Sequence, residues 1–359
     1  MATNSSASPS DGSGEGSGEG GGIPSIVVNQ VIYLSVVAVI GVFANLTVLV
    51  KGIAYHRRTT NRNRVAMTTT NFLVINLAIS DLGTSTFSVA SFILPSYVPT
   101  FPINEFTCKY IQPFRELFFA VSIFSVAFIG TYRYLILFET FQKRMTFLSS
   151  NIINNIIIWI MCYLILALPF SAVFKVDFVD GARICDPAYD TPTAQRAHRT
   201  FIVVVNAFLP VIMVSLSYIG IIRRLRRVRM VVTPVEVGNK QIRNAEMPMG
   251  LIVQSHRIVK VSILLLIAYW VTVLPYAFLI IAVEYGYLDE IDIPEIEQLG
   301  AIAVCLLYSP VVLNPLILMF TSDLYRPKLT TIWYLFACWV TVPQRARIKT
   351  RTNIKVIHG

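Results

Sequence analysis

Seven long apolar stretches run along the chain, and each carries a polar residue or a proline at a depth where hydrocarbon should exclude it. About 20 apolar residues span a bilayer as a helix. The stretches fall at 26–52, 71–95, 108–138, 151–174, 201–222, 259–283 and 299–320. Backbone groups in lipid must be satisfied within their own segment, so these spans are expected to be helices. The expected fold is an all-α membrane protein, a seven-transmembrane helix bundle. Only 14% of residues are charged, against roughly 25% in soluble domains, which excludes an ordinary soluble domain. A shorter stretch, 322–339, carries Asp323, Arg326 and Lys328 in its first two turns. It reads as a short amphipathic eighth helix on the cytoplasmic surface, anchored by Trp333, Leu335 and Phe336. The chain divides into a disordered extracellular N-terminus (1–25), the bundle (26–320), the surface helix (321–339) and a basic cytoplasmic tail (340–359).

Charge sets the expected orientation. Lys51, Arg57, Arg58, Arg62 and Arg64 follow span one, and Arg223, Arg224, Arg226, Arg227 and Arg229 follow span five. With the basic tail, these faces are cytoplasmic by the positive-inside rule. The segment between spans six and seven holds Glu284, Asp289, Glu290, Asp292, Glu295 and Glu297 without Lys or Arg. An odd number of spans then places the N-terminus outside, in a multi-pass protein of the plasma membrane. The net charge of +10 reflects this sidedness rather than nucleic-acid binding, and the basic runs attract anionic membrane lipid.

The first 25 residues are small and polar, and cannot bury enough apolar surface to fold. Span one is expected to serve as the signal anchor. Asn4-Ser5-Ser6 is an N-glycosylation sequon on the outer side. Asn45-Leu46-Thr47 also fits the pattern but lies within span one. Ser17 sits in a Gly/Glu-rich repeat that reads as a flexible linker or a sugar-chain acceptor. Cys108 and Cys185 both face an oxidising compartment, where disulfides persist. Cys162 and Cys305 fall mid-span and read as packing residues. Cys338 ends the surface helix and is either palmitoylated or simply buried.

Polar side chains at bilayer depth usually face a bundle interior and have a function. Here they recur in a fixed order. Span one has Gly41 and Asn45, and span two reads Asn76-Leu77-Ala78-Ile79-Ser80-Asp81-Leu82. Span three starts at Cys108 and ends in Tyr132-Arg133-Tyr134. Span four has Trp159 and Pro169, and span five has Pro210 and Tyr218. Pro275-Tyr276 lies in span six and Asn314-Pro315 in span seven, with Tyr325-Arg326 beyond it. In that order and spacing, from about residue 26 to 338, the chain resembles the rhodopsin-like (class A) G-protein-coupled receptors.

The resemblance implies a disulfide between Cys108 and Cys185. It implies that Arg133, flanked by Tyr132 and Tyr134, contacts a heterotrimeric G protein. Tyr218, Pro275 and Pro315 then belong to the switch, with a kink in span six that lets its cytoplasmic end swing outward. Asp81 needs partners, and Asn45, Ser122 and Asn314 lie at depths from which to supply them. Two states stay open: a sodium ion with water at Asp81, or a protonated Asp81 bonded to Asn45 and Asn314. No cofactor other than that ion is expected. Several positions depart from the pattern. Tyr132 stands where the family usually has an acid, and Ser255 where some members carry a glutamate. Val273 replaces a tryptophan, with Trp270 one turn lower, and Leu318 replaces the tyrosine that ends the Asn-Pro motif. With the restraint on Arg133 missing, measurable ligand-free signalling is expected unless Tyr132 stacks on the guanidinium.

The ligand-facing layer is expected to include Gln112, Arg115, Phe119, Tyr276 and Glu297. Arg115 stands where amine receptors place an aspartate, which argues against a monoamine. The absence of lysine from 299–320 argues against retinal. Arg115 either pairs with an anionic ligand group or forms an internal ion pair with a residue such as Glu297. The acidic stretch 284–297 would attract a cationic ligand, and Phe101-Pro102 and Cys108-Lys109 also look like peptide receptors. A neuropeptide is therefore the expected ligand. The alternative is a non-signalling decoy, or an atypical receptor for a small anionic or lipid ligand. The chain shows neither the internal repeats nor the paired pore charges of a transporter. Its four histidines, His56, His198, His256 and His358, are scattered, and no enzymatic constellation or metal site is expected.

Overall fold

The computed structural model describes residues 25–59, 65–97, 103–136, 151–179, 182–231, 249–322 and 324–326. Seven helical segments are long and apolar enough to cross a membrane: Ser25–Arg57, Thr70–Leu94, Thr107–Leu135, Ile153–Val173, Pro192–Arg223, Ile263–Glu284 and Ile293–Thr321. These are the seven expected spans, numbered one to seven below. Asn4, Cys338 and the expected surface helix lie outside the described residues, apart from the turn at Leu324, Tyr325 and Arg326.

Spans five and seven begin earlier than their hydropathy shows. Span five starts at Pro192 rather than near 201, because Thr191 caps it: its Oγ1 accepts from the Ala194 N–H at 3.1 Å. A proline just inside the cap needs no N–H partner there. Span seven likewise starts at Ile293 with a proline in its first turn. Hydropathy marks only what crosses hydrocarbon, whereas caps mark where the helix begins.

The helices are not uniform. π-helical turns occupy Thr84–Ser88 in span two, Thr107–Ile111 in span three, Tyr163–Ala167 in span four and Val204–Phe208 in span five. The last two directly precede Pro169 and Pro210, where a missing N–H already interrupts the ladder. Pro275 and Pro315 lie inside continuous helix, and span seven is divided at Ser309.

The chain also contains a hairpin that the all-α expectation did not include. Strands β1 (Phe174–Val179) and β2 (Ala182–Pro187) pair antiparallel, with Val176 opposite Cys185. It joins spans four and five, outside the helix bundle. Its short alternation of apolar and charged residues has the two-residue strand period.

Span three runs through the middle of the bundle. Ala120, Val121, Ser125 and Ala127 on it are fully buried. Asn76 donates from Nδ2 to Ser125 Oγ at 2.8 Å and accepts from Trp159 Nε1 at 2.8 Å. One amide thus ties spans two, three and four together. The opposite faces expose Ile, Leu, Val and Phe, as expected of helices solvated by lipid.

Candidate ligand and coupling site

At one end of the bundle a disulfide joins Cys108 and Cys185, with Cα atoms 5.5 Å apart. It fastens the hairpin to the start of span three. Just below lies the expected ligand layer. Phe119 packs on Tyr308 with ring centroids 6.4 Å apart, and both Tyr276 and Tyr308 lie within electrostatic reach of Arg115 and Glu116. Gln112 sits one turn before Arg115, whose N–H bonds the Gln112 carbonyl at 3.0 Å.

The internal partner of Arg115 is not Glu297. Its Nε meets Glu116 Oε1 at 3.0 Å, and Glu297 is exposed. Neighbours in sequence do not face each other on a helix, so spacing alone pointed away from Glu116. The two long side chains nevertheless meet across that gap.

The acidic stretch is also not wholly solvated. The Glu284 side chain is only 5% exposed and takes a 3.0 Å ion pair from Arg199 and a 3.3 Å bond from Gln195. It therefore ties span six to span five. Beside it the Tyr189 hydroxyl meets His198 Nδ1 at 2.7 Å, and burial pushes that phenol above its usual range.

In the middle of the bundle Asp81 is fully buried. Ser122 donates to its Oδ1, and Asn314 donates to its Oδ2 at 3.2 Å. Asn45 is not a direct partner. Its amide donates to the carbonyls of Gly41 and Val311, at 3.0 and 2.8 Å. Val311 is four residues before Pro315, so Asn45 takes the carbonyl that the proline leaves without an N–H. Span five has the same arrangement. Pro210 frees the Asn206 carbonyl, and the Tyr269 hydroxyl of span six donates to it. Tyr269 is buried, whereas Trp270 is 44% exposed on the outer face and Val273 is buried where the family's tryptophan was expected.

The opposite end of span three holds Arg133. Tyr218 of span five hydrogen-bonds it, and Tyr325 lies within electrostatic reach. A glycine at 130 makes room, since a Cβ there would sit 3.1 Å from the Tyr218 hydroxyl. Tyr134 packs over Gly220, and Ser217 meets Thr131 at 3.2 Å. Tyr132 packs against the core that includes Val48, Leu73 and Val74. Arg133 therefore has a restraint that the sequence reading did not assign, a tyrosine from span five. The Ser255 side chain lies outside the described residues.

Leu318 is buried where the motif's tyrosine was expected. A different tyrosine stands nearby. Tyr325 donates to Asn71 Oδ1 at 2.6 Å, and Asn71 in turn donates to the Gly52 carbonyl at 3.0 Å. Burial holds the Tyr325 phenol above its usual range, so it stays a donor. Lys51 donates to the Tyr325 carbonyl at 3.3 Å. The turn after span seven is thus fixed to spans one and two.

Residues 58–318 match the family described as 7 transmembrane receptor (rhodopsin family). The tachykinin-like peptides receptor 99D of Drosophila melanogaster is 25% identical, over 79% of this chain and 54% of its own length. The galanin receptor 2b of Danio rerio is 22% identical, over 82% of this chain and 73% of its own. The neuropeptide FF receptor 1 of Rattus norvegicus is 21% identical, over 77% and 66%. The alignment thus spans about half the length of the fly receptor. With seven spans, a disulfide from span three to the hairpin and a buried Asp81–Asn314 pair already in place, the family match settles the assignment: this chain belongs to the rhodopsin family of seven-transmembrane receptors.

Proposed function

We propose that this chain is a plasma-membrane receptor, N-terminus outside, that binds a neuropeptide at its disulfide end. Binding activates a heterotrimeric G protein at the Arg133 end through movement of span six. The observation that carries this reading is span three itself. One helix bears Cys108 and Arg115 at one end, Ser122 on Asp81 in the middle, and Arg133 at the other. The names of the relatives support a peptide ligand. Asp81 with the Ser122 hydroxyl and the Asn314 amide offers the hard oxygen donors that suit a sodium ion. Those residues would hold it, and it would supply a counter-charge to the buried carboxylate.

Nucleotide exchange on a panel of Gα subunits, in membranes holding the full-length chain, tests the reading. A peptide library should raise exchange, and Arg133→Ala should abolish the increase. Basal exchange should be measurable, because Tyr132 is not an acid and the neutral Tyr218 hydroxyl holds Arg133 less strongly than a carboxylate would, and Tyr132→Asp should lower it. A tenfold fall in the active-to-inactive ratio corresponds to about 1.4 kcal/mol. The second reading, a non-signalling seven-helix decoy, draws on buried Leu318 and Val273 in place of the usual aromatic side chains. It gains if ligand binds and no Gα responds.

A further inference from the structure

Among the described residues, each charged side chain substantially enclosed at the disulfide end is matched within the chain. Arg115 and Glu116, 25% and 20% exposed, meet at 3.0 Å. Arg199 and the nearly buried Glu284 meet at 3.0 Å as well. Other described charges at that end, such as Glu105, Lys109, Asp289 and Glu297, are exposed. Tyr276 lies in electrostatic reach of Arg115, Glu116 and Arg199. Two amide oxygens, Gln112 Oε1 and Asn206 Oδ1, are enclosed without a hydrogen-bond partner. Each can only accept a hydrogen, and an enclosed acceptor left unmade is costly.

We propose that the ligand group reaching Arg115 is uncharged, a carboxamide rather than a carboxylate or an ammonium. The proposal rests on the receptor reading above. A carboxylate would have to share Arg115 with Glu116, bringing a second negative charge to a pair already balanced. An ammonium would meet the converse repulsion from Arg115. Either leaves a net charge in a half-enclosed site, where uncompensated charge is most costly. A carboxamide leaves the balance at zero. Its carbonyl accepts from the guanidinium, which has five N–H donors and commits Nε to Glu116. Its N–H groups can donate to Glu116 or to an amide oxygen such as Gln112 Oε1, which a carboxylate cannot do.

The test uses one peptide library synthesised twice, with C-terminal carboxamides and with free carboxylates, read by Gα nucleotide exchange on the full-length chain. Active sequences are expected among the carboxamides and should lose about thirtyfold or more as acids, the lower range for a buried charge left unmatched. Glu116→Gln leaves Arg115 unbalanced, so it should narrow or invert that preference. The double variant Arg115→Gln/Glu116→Gln should restore it, and surface expression of both variants shows that they fold. Equal potency of the two libraries, or an equal loss for both in Glu116→Gln, overturns the proposal and leaves the receptor reading standing. Silence of both libraries overturns the peptide reading and this proposal with it.

Discussion

Gly220 leaves no room for a side chain, because a Cβ there would overlap the ring of Tyr134. The close approach of spans three and five at the Arg133 end depends on that vacancy, as it does on Gly130 beneath Tyr218. Gly220→Ala should therefore lower thermal stability by roughly 1–3 kcal/mol, the usual cost of overpacking. Tyr134→Ala should absorb much of that loss, and a double-mutant cycle on purified receptor checks it: additive effects would show that the two residues do not share the space. Cys108 sets a second expectation at this scale. Its bond to Cys185 closes a separation of 77 residues, and losing a native disulfide commonly costs about 2–5 kcal/mol. On the proposed topology, Cys108→Ala should reduce the amount of receptor at the cell surface, measured with an antibody to an N-terminal tag. Arg115 was legible as a site residue but its partner was not, because adjacent positions on a helix ordinarily diverge.

At the scale of elements, proline-freed carbonyls do much of the joining. Asn45 from span one covers the Val311 carbonyl above Pro315, and Tyr269 from span six covers the Asn206 carbonyl above Pro210. A broken ladder in one helix thus becomes a specific attachment for another, which an unbroken helix could not offer. Tyr269→Phe keeps the ring and removes only the donor. It should destabilise the structure by about 1–3 kcal/mol, because the Asn206 carbonyl is then enclosed without a partner. The melting temperature of purified receptor would show this, and an unchanged value would mean that the carbonyl finds another donor. Sequence reading located the four prolines. It did not find Tyr269, which lies one turn from the position where an aromatic residue was expected and in no quoted motif.

At the scale of the whole molecule, the buried Asp81 is the point where spans two, three and seven meet, through Ser122 and Asn314. If a sodium ion shares that site, replacing sodium chloride with choline chloride should lower the melting temperature of the ligand-free receptor. Asp81→Asn, which removes the charge that holds the ion, should abolish the difference. Equal sensitivity of the wild type and Asp81→Asn to the exchange would place the effect elsewhere. Span three carries Arg115 towards one end and Arg133 at the other, with Ser122 on Asp81 between them.

The seven spans, the disulfide cysteines, Asp81 with Ser122 and Asn314, and Arg133 and Tyr218 as separate residues could be read from sequence; the bond between Arg133 and Tyr218 could not. The spans and the polar residues within them follow from local properties of the chain, and the disulfide pairing and the roles of Arg133 and Tyr218 followed from the family resemblance. Partners were legible only where depth alone narrowed the choice. The Arg115–Glu116 and Arg199–Glu284 pairs, Asn45 on Val311, Tyr269 on Asn206 and Tyr325 on Asn71 were decided by the tertiary structure. The physical reason is that a hydrogen bond depends on rotamer and on the relative placement of two helices. Neither is encoded in the spacing along one helix, and hydropathy treats every face of a span alike.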